Sequence, residues 1–198
     1  MQSVANKILR RIRGKGRGSV FTPKDFLDLG SRAAVDQTLS RLTKDGTIRR
    51  ISRGLYDYPC ISKRLGQLSP SPDAVAQAVA RSTGHSVYVS GARAANALGL
   101  SMQVPARPVY LTDGPSRQMQ IGPQTIYLRH TRRFTAAGST SKPVLHALSH
   151  LGKARVDDGV VGKLARSLSQ QDKNALLRDS KYASAWMQPV LNRVTQVA

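Results

Sequence analysis

The chain has 198 residues, with 31 Lys or Arg against 11 acidic side chains, a formal charge of +20 at pH 7. Every acid is an aspartate, so the carboxylate supply that acid–base and metal-dependent catalysis draws on is thin, while the positive field attracts polyanions, nucleic acid foremost. The single cysteine, Cys60, excludes an internal disulfide and a cysteine-rich zinc site, fits a reducing compartment and is read as a buried or neutral thiol.

Taken in order, Val4, Ile8, Leu9 and Ile12 fall at helical spacing with Lys7, Arg10, Arg11 and Arg13 on the other side, which predicts a first helix over 3–13. The stretch "GKGRG" breaks it, and "SVF" is a short strand. Thr22 as cap, Pro23 at the first helical position, Asp25 in the first turn and Gly30 as stop predict a short second helix over 23–29. Ser31 caps a third, with Val35, Leu39 and Leu42 inward and Gly46 at its end. "TIRRI" and "GLYDY" are two strands around the turn "SRG". Helix, strand, helix, helix, strand, strand is the order of a winged helix-turn-helix.

The proline- and serine-rich run at 59–72 is expected to be a linker or extended crossing. A DNA-binding domain over 1–64 is therefore expected, followed by a second domain over 65–198. The first carries 15 basic and 5 acidic residues, half of the net charge in a third of the chain. The second opens on a helix capped by Ser71, followed by the strand "HSVYVS" and the small-residue helix "GARAANALGL". Strands are predicted at 108–112, 117–121 and 124–130, and helices return in "KPVLHALSHLG", "DDGVVGKLARSLS" and "DKNALLRDSKYASAWMQPVLNRV". The fold class expected is α+β, with a small antiparallel sheet and C-terminal helices.

No catalytic constellation emerges, and an enzyme is not expected. "GKGRGS" lacks the spacing of a phosphate loop. His146 and His150 share a helix face but lack a third ligand, so no metal and no cofactor are expected. Asp157 and Asp158 suit a helix N-terminus better than a catalytic pair.

With Val35, Leu39 and Leu42 inward, the third helix presents Ala33, Gln37, Ser40 and Lys44, flanked by Arg41, on its opposite face. Gln37 can pair with adenine, Arg41 with guanine or a phosphate, and Ser40 with either base type; Ala33 leaves room for a thymine methyl, and Lys44 suits the backbone. Arg32, in the helix's first turn, joins the DNA-binding set. Arg49, Arg50 and Arg53 lie in or beside the wing, where strand alternation sends Arg49 and Arg50 to opposite faces, and Arg50 and Arg53 are favoured for phosphate or minor-groove contacts. Thr22 and Lys24 can hold a phosphate at the start of the second helix. A solvated helix face is the plain alternative, and a non-specific nucleic-acid or ribosome-associated basic protein is the rival function.

"TPKDFLDLGSRAAVDQTLSRLTKDGTIRRISRGLYDYP", "SPDAVAQAVARSTG", "SGARAANALGLSMQVPARPVYLTDGPSR" and "IYLRHT" together resemble the AbiEi-type antitoxins of bacterial type IV toxin–antitoxin systems, over about residues 3–150. The resemblance implies an N-terminal winged helix that represses its own operon at an inverted-repeat operator on double-stranded DNA. It also implies a C-terminal domain that counters an AbiEii-like nucleotidyltransferase toxin without a stable complex, and makes a monomer plausible. The repressor role then falls on Gln37, Arg41, Arg49, Arg50 and Arg53. Arg93, Arg107, Arg117, Arg129, Arg132 and Arg133 form a second basic series on or near strands, open to nucleic acid or a toxin-related partner, with a solvated face as the plain alternative. No bilayer-spanning stretch and no secretory signal are read, so no membrane partner and a cytoplasmic location are expected.

Overall fold

The computed structural model describes residues 3–134 and 136–196. It is α+β, and the chain divides into two units, each discontinuous in sequence: 1–87 with 117–128, and 88–116 with 129–198.

In the first unit, helix α1 (Val4–Lys15) is capped by the Ser3 hydroxyl, which accepts from the Asn6 amide, and buries Ile8 and Ile12. Strand β1 (Val20–Phe21) follows. The second predicted helix is instead a 3₁₀ turn, Pro23–Phe26. Its few residues are too short a run to repay an α-helical nucleus, and Phe26 must turn into the core, 5.5 Å edge-to-face from Phe21. Helix α2 (Arg32–Lys44) begins where capping predicts, with the Ser31 hydroxyl accepting from the Ala34 amide, and buries Val35, Thr38 and Leu39. The amides of Thr47 and Ile48 both donate to the Leu42 carbonyl, so the chain leaves α2 directly into strand β2 (Arg49–Ser52). Strand β3 (Leu55–Asp57) returns after Gly54, whose φ of 73° suits a residue without Cβ. The antiparallel sheet runs β1-β3-β2, with Val20 and Arg49 both opposite Asp57, and a bulge lies between Arg50 and Ser52. Ile8, Ile12, Phe21, Phe26, Val35, Leu39 and Ile48 form one core.

The run expected as a linker folds into a two-stranded hairpin, β4 (Ile61–Ser62) with β5 (Gly66–Gln67), tied to the sheet where the Arg49 guanidinium donates to the Leu68 carbonyl at 2.8 Å. Cys60, expected to be buried or neutral, is exposed; its backbone carbonyl, not its thiol, serves the hairpin by accepting from the Leu68 amide. The next helix, α3 (Pro72–Thr83), belongs to this first unit rather than opening the second. Arg81 near its end donates to Asp25 at 3.0 Å and to the Val20 carbonyl at 3.0 Å, while Lys24 donates to the Ser82 carbonyl at 2.7 Å. The unit is completed by strand β8 (Arg117–Ile121), which lies beside β2, paired antiparallel with the first residues of β9 (Gln124–His130).

The second unit holds most of strand β6 (Val87–Val89), helix α4 (Gly91–Ala97), strand β7 (Val109–Thr112) and four C-terminal helices. These are α5 (Ser141–Leu151), α6 (Asp158–Ser167), α7 (Gln170–Asp179) and α8 (Met187–Gln196). Leu145, Leu148, Val161, Leu164, Leu176, Met187, Leu191 and Val194 form their shared core. Asp157 caps α6, accepting from the Val160 amide at 2.8 Å, and Asp158 lies in its first turn, the helix-terminal placement that adjacency suggests. Ala94, Ala95 and Ala147 let α4 and α5 approach closely. At Gly91 the approach is closest: a Cβ there would lie 2.4 Å from the His146 carbonyl oxygen and 2.7 Å from the His150 Cβ. Gly91→Ala is therefore expected to cost about 1–3 kcal/mol through forced separation of the two helices. A lowered urea midpoint with unchanged slope measures it; an unchanged midpoint would show that the helices part without penalty.

Candidate nucleic-acid interface

Helix α2 divides as its 3.6-residue period dictates: the buried stripe faces the core, while Ala33, Gln37, Ser40, Arg41 and Lys44 are all exposed. Among the described residues, the side chains of Gln37, Ser40, Arg41 and Lys44 meet neither a carboxylate nor a hydrogen-bond partner. Four polar side chains with unused hydrogen-bonding capacity thus line one face of a rigid helix. Arg32 is different: its Nε donates to Asp36 one turn on at 2.7 Å, which half-neutralises it.

The β2–β3 hairpin separates its arginines as strand alternation requires. Arg50 and the turn residue Arg53 are exposed, and neither meets a partner among the described residues. Arg49 turns the other way. Its Nη2 and Nε reach both carboxylate oxygens of the fully buried Asp57 at 2.6 and 3.1 Å, a fork-to-fork pair that holds the guanidinium pKa above its ordinary value. Arg49 is thereby an anchor of the sheet and of the β4–β5 hairpin, its Nε and Nη2 engaged within the unit.

Thr22 and Lys24 are also spent inside the unit. Thr22 is buried in a capping box with Asp25, and the Lys24 ammonium sits on the end of α3. Of the basic turn after α1, Arg17 stacks 4.7 Å over Tyr58 and donates to the Pro59 carbonyl, and Lys15 lies 3.9 Å from Asp25. Cations facing solvent in this unit include those of α2 and the hairpin tip, Lys7, Arg10 and Arg13 of α1, Lys63 and Arg64 of the β4–β5 hairpin, and Arg117 of β8.

Asp25 is a hub of this unit that sequence reading takes only for a first-turn acid. Burial pushes its carboxyl up, but the Thr22 amide and the Arg81 and Lys15 charges outweigh that and hold its pKa below the usual value. A carboxylate depressed in the folded state contributes stability above its unfolded pKa, near 4, and loses it as pH falls through the folded pKa. The urea midpoint is therefore expected to fall between about pH 5 and about pH 3, and Asp25→Asn to flatten part of that fall. An identical acid limb in the variant would remove Asp25 from the account. Arg81 lies 56 residues away, which is why no local pattern reveals the pair.

The second basic series does not form one surface. Arg117 belongs to the first unit, on β8 opposite Leu128. Arg93 is held against Tyr110, 2.5 Å from its hydroxyl and over its ring. Arg132 edges a shallow depression with Tyr182. Arg107, Arg129 and Arg133 line a common groove of about 380 Å³ in the second unit, together with His146 and His150. His146 is buried; burial first, then the Lys142 and Arg133 charges, lowers its pKa and favours the neutral ring. Among the described residues no cluster of three His, Cys or Asp side chains is placed to hold a metal ion, and no helix is long and apolar enough to cross a membrane.

Fold and surface define a two-unit α+β protein whose N-terminal unit exposes a polar helix face followed by a basic hairpin. The chain belongs to DUF6088, a family of unknown function, whose model matches residues 7–176. No curated protein matches it. Among solved structures it is similar to the RV2827C protein from Mycobacterium tuberculosis, at 14% identity and a TM-score of 0.45, over 97% of this chain and 76% of that one.

Proposed function

We propose that the protein is a sequence-specific double-stranded-DNA-binding repressor whose N-terminal unit is a winged helix-turn-helix, with α2 as reader helix and the β2–β3 hairpin as wing. The observation that carries the reading is the exposed, unpartnered set Gln37, Ser40, Arg41 and Lys44 on the helix that leads directly into a hairpin with Arg50 and Arg53 exposed. Amide, hydroxyl and guanidinium groups at that spacing suit base edges in a major groove, and the hairpin arginines suit phosphates or a minor groove. The order α1, β1, 3₁₀ turn, α2, β2, β3 and the three-stranded sheet support the same reading. Arg49, Thr22 and Lys24 take no part in it, since each is engaged within its own unit.

Autoregulation of a toxin–antitoxin operon through an inverted repeat, and action as antitoxin against a nucleotidyltransferase-like toxin, complete the proposal; both rest on the resemblance to AbiEi-type antitoxins. Fluorescence anisotropy with duplex from upstream of the chain's own reading frame, against a shuffled duplex of equal length and salt, tests the DNA reading. A preference of about a thousandfold or more for the promoter is expected of a specific binder. Equal affinity for both duplexes, or a preference for structured RNA, would overturn it in favour of a non-specific nucleic-acid or ribosome-associated protein. Co-expression with the product of a neighbouring nucleotidyltransferase reading frame tests the antitoxin part: rescue of growth supports it, and continued toxicity with soluble protein present removes it.

A further inference from the structure

The groove of the second unit has features that a solvated surface does not need. Three arginines reach it from separate points of the chain: Arg107 before β7, Arg129 in β9 and Arg133 in the loop beyond. Among the described residues no carboxylate lines it, and Arg107 and Arg129 have no ion-pair partner. Arg133 is steadied by a 3.2 Å hydrogen bond to the Ser149 hydroxyl, itself part of the lining. Three like charges around one concavity repel each other, and an anion between them relieves that repulsion.

His146 supplies the second, independent observation. It lines the groove, is 5% exposed, and its Nε2 has no hydrogen-bond partner among the described residues. A buried imidazole nitrogen left unpaired costs free energy, and an orphan of this kind at the wall of a cavity marks a place where a ligand group completes the bonding. The ring is held in position by Phe134, edge-on at 5.0 Å, and by Tyr88 at 6.5 Å. Phe134 itself has a φ of 58°, unfavourable for a bulky side chain and kept by its packing.

Part of the lining is apolar: Pro105, Val109 and Leu111 face the same space, which Ser90, Thr131 and His150 also border. A volume of about 380 Å³ lies in the range of small-ligand sites and exceeds what a bare inorganic anion fills. We infer that the groove is a binding site for a phosphomonoester on an organic body of nucleotide size, its phosphate between Arg107, Arg129 and Arg133 and its less polar part against Pro105, Val109 and Leu111. Guanidinium groups suit this role because their planar donors match phosphate oxygens two at a time. The inference does not depend on the DNA reading of the N-terminal unit.

Calorimetric titration of the full chain with adenosine 5′-monophosphate, beside adenosine, tests it. Saturable one-to-one binding of the monophosphate and none of the nucleoside is expected, with Arg129→Ala and Arg133→Ala each weakening binding about tenfold or more. Arg117→Ala, in the other unit, should leave it within about twofold. The His146 ring resonances, followed by NMR in the unsubstituted protein, should shift along the same saturation curve, which keeps the test independent of whether a variant folds. Competition separates the sources of the phosphate. Displacement by a 5′-phosphorylated oligonucleotide, but not by its unphosphorylated form, assigns the site to nucleic-acid ends, and displacement by neither assigns it to a free small molecule. Equal response to nucleoside and monophosphate, no saturation into the millimolar range, an unmoved His146, or equal loss in Arg117→Ala would each overturn the inference.

Discussion

Gln37→Ala and Arg41→Ala are each expected to lower affinity for the chain's own promoter by about 1–3 kcal/mol, roughly tenfold to a hundredfold, with little change in fold stability. Both side chains stand on the outer face of α2 and touch nothing that holds the helix in place, so their removal leaves the core of Val35, Leu39 and their neighbours intact. Stability is expected to move by no more than about 0.5 kcal/mol. The two positions differ in what else they lose. Gln37 is uncharged, so Gln37→Ala should leave binding to a shuffled duplex unchanged, and the promoter preference should shrink by the whole effect. Arg41→Ala also removes a charge and should weaken both duplexes somewhat. Arg53→Ala, at the hairpin tip, should weaken every sequence alike and reduce the slope of log affinity against log salt by about one. Uniform loss on promoter and shuffled DNA for Gln37→Ala would show that α2 is not the reader.

Arg49→Ala is expected to destabilise the N-terminal unit by about 3–5 kcal/mol, because it strands the buried Asp57 carboxylate without its partner. Against a typical total of about 5–15 kcal/mol, that is a large fraction of what a domain has. Arg50→Ala, its exposed neighbour in sequence, should stay within about 0.5 kcal/mol. The double change Arg49→Met with Asp57→Val should recover most of the loss, since it removes the buried charge along with its partner. Urea midpoints of the four proteins decide the matter. Arg49 also holds the Leu68 carbonyl, so limited trypsin digestion of Arg49→Ala should cut earlier at the exposed Lys63 and Arg64. If Arg49→Ala proved as stable as Arg50→Ala while losing DNA binding, the side chain would belong to the interface and not to the sheet.

These two outcomes separate residues that the sequence presents as equals. Arg49, Arg50 and Arg53 form one basic run within five positions, and alternation along a strand shows that Arg49 and Arg50 part company. It favours Arg50 as the exposed one but does not show what holds Arg49, because that depends on Asp57, placed opposite Arg49 by the register of β2 on β3. Thr22 and Lys24 are a similar case. Helix-start chemistry is legible from Thr22, Pro23 and Asp25, yet the arrival of α3 over the turn, through Arg81 and Ser82, decides that these groups are occupied.

Local chemistry determined much of this protein: the caps at Ser31, Ser71 and Asp157, the polar face of α2, the hairpin turn at Gly54 and the strands β8 and β9 all follow from residues within a few positions of one another. Hydroxyl caps, the 3.6-residue period and left-handed glycines act over one or two turns of chain, and so they can be read there. Tertiary structure alone decided that α3 and the β8–β9 hairpin join the N-terminal unit, that the proline-rich run becomes an anchored hairpin, and that Arg107, Arg129 and Arg133 meet at His146 while Arg117 does not. Those outcomes depend on ion pairs, buried polar groups and helix docking between residues tens of positions apart. Their partners are chosen by the packing of whole elements, for which a single sequence carries no local mark.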